Sequence, residues 1–351
     1  DLHWMVHSFP TRRSSDLEGR NHATGRVGAP LDFLANSSHS VPRYVDGALF
    51  GCARPDERVE WNVAAYRNMI GRHRRYDNLP TYIFQFGALQ SEHRVGAANL
   101  KTCEPGGRGA AWTFHVLMGM KERVPNHRGV WQWGIFDKLS VGPEQLAWSQ
   151  ERERRLAAAG QVELLQSNGW VYAVLDRLQG GDALVADAPE AKDGTLLKAL
   201  FVRKEDACYL VVSAFLLDRA DNRRRAVSVT LPKSLGLSIR DAGALTETEL
   251  TEDNCVHAAV KRDLAAAGLL KAEYADKPLL AQVRLLLDEG REREGRAKVV
   301  ANADKYERIV RDSLTLKPFV GSVEDRGGDS VLSFTMAPNS VKALAIGRGR
   351  S

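Results

Sequence analysis

The hydrophobic period of this chain changes near residue 180, and that change constrains the fold more than any other feature. Up to about Gly180, short apolar runs rich in β-branched and aromatic residues alternate with stretches whose apolar residues recur every three to four positions. This is the pattern of consecutive βα units feeding a parallel sheet. Beyond Gly181 the period falls to two, as in antiparallel strands with one buried face. A chain that switches period in this way is α/β in its first half and mainly β in its second.

In the first half, Leu31–Ala35 reads as a short strand that delivers Asn36, Ser37, Ser38 and His39 to a loop closed by Pro42. Residues Arg58–Tyr76 form an amphipathic helix with Trp61, Ala64, Ala65, Met69 and Ile70 on its apolar face. Thr81–Phe86, ended by Gly87, is the most strand-like run in the chain. A helix over Ala110–Arg123 leads to a third strand, Gly129–Phe136, ending at Asp137. Val162–Leu165 and a helix over Val171–Leu178 complete the region, which amounts to about three βα units where a closed parallel barrel needs eight. In the second half, Leu196–Val202, Cys208–Leu217 and Ala226–Leu231 read as strands, the last two joined by a polar turn over Asp218–Arg225. Helices over Val256–Leu270, Leu279–Arg291 and Ala301–Ser313 interrupt them. Leu314–Val320, Val331–Met336 and Val341–Ile346 return to strands, with Ala337–Asn339 as a turn. The pattern predicts a β-sandwich with a helical insertion at about 255–313.

Composition adds exclusions. Of 351 residues 44% are hydrophobic and 26% charged, with a net charge of +5, which excludes disordered and collagen-like chains. No apolar run reaches the length of a membrane-spanning helix, and the basic excess is too dispersed to indicate a nucleic-acid partner. The four cysteines, Cys52, Cys103, Cys208 and Cys255, are far apart with no CxxC spacing, and no HExxH pair occurs, so neither a metal nor a cofactor is expected. His7–Leu17 reads HSFPTRRSSDL, which a common sequencing adapter encodes in one frame. No apolar segment follows it, so it is no signal peptide. Residues 1–17 are therefore expected to be foreign, with the native sequence beginning near Glu18 inside a longer gene.

The segment Gly19–Phe33 has the spacing G-x-N-x-x-T-G-x-x-G-x-x-x-D-aromatic. It resembles the approach to the sixth barrel strand in glycoside hydrolase family 39, the family of α-L-iduronidases and β-xylosidases. Pro80–Gln85 is similar to that family's seventh strand, Gly129–Asp137 to its eighth, and Ser333–Ile346 to the closing hairpin of its C-terminal sandwich. The resemblance implies the C-terminal part of a (β/α)8 TIM barrel over residues 18–180, followed by the sandwich over 181–351. It also implies a carbohydrate substrate and a retaining double displacement, in which one carboxylate attacks while a second, about 5–5.5 Å away, acts as acid and base. Secretion or a periplasmic address would follow only from this resemblance, and oligomeric state is not addressed by it.

At the position where the resemblance places the nucleophilic Glu, this chain has Gln85, with Glu92 as an alternative carboxylate seven residues later. A carboxamide matches Glu in size but carries no charge with which to attack. The family's acid/base sits in an Asn-Glu pair on strand four, and the chain has no Asn-Glu dipeptide. The expectation is a truncated and inactive portion of a glycosidase; the alternatives are a non-catalytic carbohydrate-binding relative and a non-functional open reading frame. Candidate substrate-binding residues are His39, Asp137, Arg154, Trp131 and Trp133. Each has a plain structural counterpart: a loop-stabilising histidine, a helix N-cap aspartate, a solvated charge run over 151–155, and core packing for the two tryptophans. Glu104–Gly109 lacks the Gly-Lys-Ser/Thr ending of a phosphate loop and reads as a flexible connection; Arg223–Arg225 reads as a solvated turn, and Arg291–Arg296 as exposed surface.

Overall fold

The computed structural model of the protein describes residues 32–39, 43–45, 48–50, 54–72, 77–87, 89–90, 102–103, 106–132, 136–139, 162–188, 190–205, 207–217, 221–235, 239, 242–275, 283–288 and 290–347. They fall into two compact units, residues 1–103 with 115–133, and residues 104–114 with 134–351.

The first unit is built around β1 (Leu34–His39), the short pair β2 (Arg43–Val45) and β3 (Ala48–Phe50), and helix α1 (Pro55–Arg72). Strand β4 (Thr81–Gly87) follows, then the pair β5 (Leu89–Gln90) and β6 (Thr102–Cys103). Helix α2 (Gly107–Arg123), whose first residues group with the second unit, leads to β7 (His127–Gln132). Strands β1, β4 and β7 form a parallel sheet in that order, the arrangement that the βα pattern requires. Helix α1 starts at Pro55 because proline needs no amide partner in the first turn and Asp56 and Glu57 complement the positive helix end.

Two strand boundaries and one helix face differ from expectation. The first strand runs over Leu34–His39, so Asn36–His39 are strand and not loop; Asn36 is buried, and its amide finds partners on helix α1. The buried face of α1 is Arg58, Val59, Asn62, Val63 and Tyr66, whereas Trp61 is half exposed and Ala64 exposed. The third strand ends at Gln132. Phe136–Leu139 is a separate strand, β8, antiparallel to β9 (Val162–Leu165), so Asp137 pairs with Leu164 instead of ending a parallel strand or capping a helix.

In the second unit, helix α3 (Ser167–Asp176) precedes β10 (Asp182–Asp187), β11 (Leu196–Arg203), β12 (Ala207–Phe215), β13 (Arg225–Leu231) and β14 (Leu245–Leu250). Helices α4 (Val256–Ala266), α5 (Val283–Leu286), α6 (Glu292–Ala301) and α7 (Ala303–Ser313) come next, then β15 (Lys317–Pro318), β16 (Gly321–Arg326), β17 (Asp329–Met336) and β18 (Ser340–Gly347). One sheet has the order β10-β11-β12-β18-β14-β15 and the other β13-β17-β16. Phe201, Leu210, Val212 and Leu344 of the first sheet share one core with Val227, Leu332, Phe334 and Met336 of the second. The helices bury a separate core around Val260, Leu264, Tyr274, Leu286, Val299 and Tyr306.

Neither expected hairpin forms. Strand β12 pairs with β11 and β18 while β13 pairs with β17, because β12 is apolar on both faces and occupies the interior of a sheet. Strands β17 and β18 likewise part into different sheets, and Asn339, with φ 54°, makes the corner between them. The expected helix over Leu279–Arg291 is described only at Val283–Leu286, and a new helix starts at Glu292.

The described part of the Gly-rich run enters helix α2 at Gly107 and is closely packed there, not a loose loop. The Arg108 N–H donates to Glu252 Oε1 at 2.8 Å, and a Cβ on Gly107 would stand 2.3 Å from the Asn339 carbonyl oxygen and 2.6 Å from the Thr251 carbonyl carbon. Backbone cannot retreat as a side-chain tip can. We therefore expect Gly107→Ala to destabilise the second unit by about 3 kcal/mol in urea unfolding. Gly290→Ala, whose Cβ would meet nothing nearer than 3.7 Å, should stay within about 0.5 kcal/mol of the parent.

Candidate functional site

The C-terminal ends of β1, β4 and β7 bring three candidate residues onto adjoining strands. His39 is the last residue of β1 and pairs with Gly87; Trp131 is the penultimate residue of β7; Gln85 lies between them in β4. The ladder is regular up to Ser37↔Phe84 and resumes at Ser38↔Phe86, which leaves Gln85 as an extra residue. On the other side, Ile83↔Val130 is followed by Phe86↔Gln132, so Phe84 and Gln85 face the single residue Trp131. Gln85 is thus unpaired in both ladders. A bulge of this kind bends the strand and re-aims the extra residue, and bulges are concentrated beside active sites.

The register upstream of the bulge is held by polar groups in an otherwise apolar layer. Asn36 donates through Nδ2 to Asn62 Oδ1 at 3.3 Å, and the single Tyr66 hydroxyl proton is shared between Asn36 Oδ1, at 3.0 Å, and the Tyr82 carbonyl oxygen. Asn62 Nδ2 in turn donates to the Arg58 carbonyl at 2.9 Å. Burial holds the Tyr66 phenol well above its ordinary pKa, so it is a neutral donor. Arg58 lies 4.1 Å from the Trp61 ring centre, and burial pushes its guanidinium down to about 10, still charged at neutral pH. His127, at the opposite end of the sheet, is pushed down to about 4 by burial and is neutral at pH 7.

Glu92, Arg154 and Trp133 lie outside the described residues, as do residues 1–17. Asp137 belongs to the second unit, in the β8–β9 pair. Sequence reasoning missed Asn62 and Tyr66. Their signal was present as polar groups at the i and i+4 positions of one helix face, but counting apolar residues selected the Trp61–Ala64–Ala65 face instead.

In the second unit a cavity of about 460 Å³ is lined by Asp221, Glu252, Asp253, Lys261, Arg262 and Asn339, among others. Its charges are largely engaged with the protein. Arg223 and Arg225 clasp Asp221, each at 2.6 Å, and hold its carboxyl well below the usual range. Glu252 accepts the Arg108 N–H, and Arg262 donates to the Asp253 carbonyl at 3.2 Å. Arg224 pairs with Glu249 at 2.8 Å and Arg225 with Asp193 at 2.9 Å; Arg223 and Arg224 are solvated as expected, whereas Arg225 is largely buried among its carboxylate partners. Among the described residues, no group of three or more His, Cys, Asp or Glu is placed to hold a metal ion, and no helix is long and apolar enough to cross a membrane.

The chain is similar to the solved structure of a bacterial orthologue of human α-L-iduronidase, with a TM-score of 0.57, 12% identity, and coverage of 96% of this chain and 52% of that one. A monomeric β-xylosidase from Caulobacter crescentus CB15 matches with a TM-score of 0.45 and 13% identity over 91% of this chain and 55% of that one. A GH39 enzyme from Xanthomonas axonopodis pv. citri gives 0.44 and 12% over 91% and 55%. No protein-family model matches the chain, and no curated protein is similar to it. The chain spans about half the length of these solved structures. At such identities the first likeness is one of fold.

Proposed function

We propose that the chain is the C-terminal part of a retaining glycoside hydrolase similar to family 39, acting in its full-length form on O-glycosidic bonds of an oligo- or polysaccharide. In this proposal β1, β4 and β7 are strands six to eight of a (β/α)8 barrel within residues 18–180. Residues 181–351 are the β-sandwich with its helical insertion. The observation that carries the proposal is the bulge at Gln85: the extra residue falls at the C-terminal end of the middle strand, where barrel enzymes carry their functional groups. The likeness to the iduronidase orthologue supports it.

Gln85 then stands where a nucleophilic carboxylate is needed, and His39 and Trp131 occupy the adjoining strands at the same end of the sheet. Arg154, Trp133 and the alternative nucleophile Glu92 remain candidates for the same substrate, and Asp137 a candidate within the second unit. Because a neutral carboxamide cannot form the glycosyl ester, the 351-residue chain is expected to release no phenol from aryl glycosides above the spontaneous rate. Turnover by this chain would overturn that expectation.

A binding-only relative is favoured by the same Gln85, since a carboxamide keeps the hydrogen-bonding shape of Glu without its reactivity. Recovery of the coding sequence upstream of Glu18 separates the two. An Asn-Glu pair at the end of the fourth strand supports a hydrolase, and its loss together with Gln85 supports binding alone.

A further inference from the structure

We infer that Tyr66 is a positioning residue that sets where Gln85 leaves the β1–β4 ladder; its consequence for catalysis rests on the function proposed above, but the structural claim stands apart from it. Tyr66 is fully buried on helix α1, and its hydroxyl reaches both strands at one level: Asn36 of β1, which pairs with Ile83, and the carbonyl of Tyr82 in β4. The next pair is Ser37↔Phe84, and Gln85 is extruded immediately after it. Asn62, one helical turn before Tyr66, holds the other end of the Asn36 amide. Two helix side chains therefore pin both strands directly upstream of the bulge.

The pin has a steric logic. Side chains alternate between the faces of a strand, so a shift of one residue sends each to the opposite face. Without a fixed point, β4 could regularise by absorbing the extra residue, which would bring Gln85 into the ladder and move Phe86 and Gly87 one place against β1. A polar anchor fixes the register more sharply than apolar packing because its geometry is directional and its loss leaves buried groups unsatisfied. Val59 and Val63 on α1 and Ile83 on β4 are buried apolar residues and supply no directional contact of this kind.

Tyr66→Phe removes the hydroxyl and keeps the ring, and native-state amide hydrogen exchange on the 351-residue chain is the test. Exchange at Ser38, Phe86 and Gly87 should quicken about tenfold, while Ile83 and Val130 upstream of the bulge change less than about twofold. A uniform rise across β1, β4 and β7 would mean that Tyr66 merely stabilises the unit and would overturn the inference, as would unchanged exchange at the bulge. Should Tyr66→Phe fail to fold, Asn62→Ser, which removes the Asn62 amide from Asn36 and from the Arg58 carbonyl and leaves the Tyr66 hydroxyl in place, must give the same selective pattern at smaller amplitude. In a catalytically competent parent carrying Glu at position 85, Tyr66→Phe should lower kcat with KM little changed. If the exchange pattern appears without any competent parent existing, the glycosidase proposal fails and the positioning role stands.

Discussion

Lys342→Met is expected to lower the stability of the second unit by about 3–5 kcal/mol, a loss typical of stranding a buried charge. Lys342 lies in β18 with its side chain 2% exposed; its ammonium stands 2.8 Å from Glu247 Oε1, 3.4 Å from Glu249 Oε2 and 5.5 Å from the Phe334 ring centre. The two carboxylates are not equivalent. Glu249 also receives Arg224 at 2.8 Å and the Ala337 N–H at 2.8 Å, so it keeps partners when the lysine goes. Among the described residues Glu247 has no other ion pair, and its Oε2 is already buried without a hydrogen bond. Most of the loss therefore belongs to an orphaned Glu247. Replacing both members, Lys342→Met with Glu247→Leu, should recover more than half of it, because two apolar side chains of similar volume need no compensation. Urea midpoints at constant m-value measure both. Equal destabilisation by the single and double variants would place the cost in packing instead of charge.

That cluster also explains part of what the sequence concealed. Strand β14, Leu-Thr-Glu-Thr-Glu-Leu, reads as surface if Glu247 and Glu249 are counted as solvated, yet both are largely buried against Lys342 and Arg224. The partners lie on β18 and on the approach to β13, and no local pattern can reveal them. Strand β16 failed to register for the opposite reason: it is almost wholly exposed, with only Val323 packed against the core, and is held mainly by its ladder with β17. The period change, by contrast, was legible because it reflects how many faces of each strand are covered. Thr81–Gly87 was legible for its β-branched and aromatic content. The bulge inside that strand was not, since its register depends on Tyr66, Asn62 and Asn36, which come from two other elements. The same network misled the choice of helix face, because two buried polar residues make the true face of α1 look like the wet one. Asp137 was misplaced because β8 finds its partner in β9 across residues 140–161, where pairing is non-local.

In a barrel completed by its upstream βα units, Gln85→Glu is expected to raise the release of an activated aryl leaving group by at least about a thousandfold, well below the roughly millionfold span attached to nucleophiles elsewhere. A leaving group such as dinitrophenolate departs without protonation, so the first step of double displacement then depends on the nucleophile and not on the acid/base partner. A carboxylate at position 85 can attack the anomeric carbon and hold the sugar as an ester; a carboxamide carries no charge to neutralise the oxocarbenium-like transition state. The expected signature is an initial burst of phenolate matching the enzyme concentration, followed by slower turnover as water releases the sugar. The same substitution in the 351-residue chain should produce no burst, since the three parallel strands among the described residues do not by themselves enclose a sugar ring. The absence of a burst in the completed barrel would remove Gln85 from the nucleophile position and shift the search to Glu92. A burst would mean that the bulge in β4 presents position 85 to the anomeric carbon, and that the parent's lack of charge there, not its geometry, is what withholds catalysis.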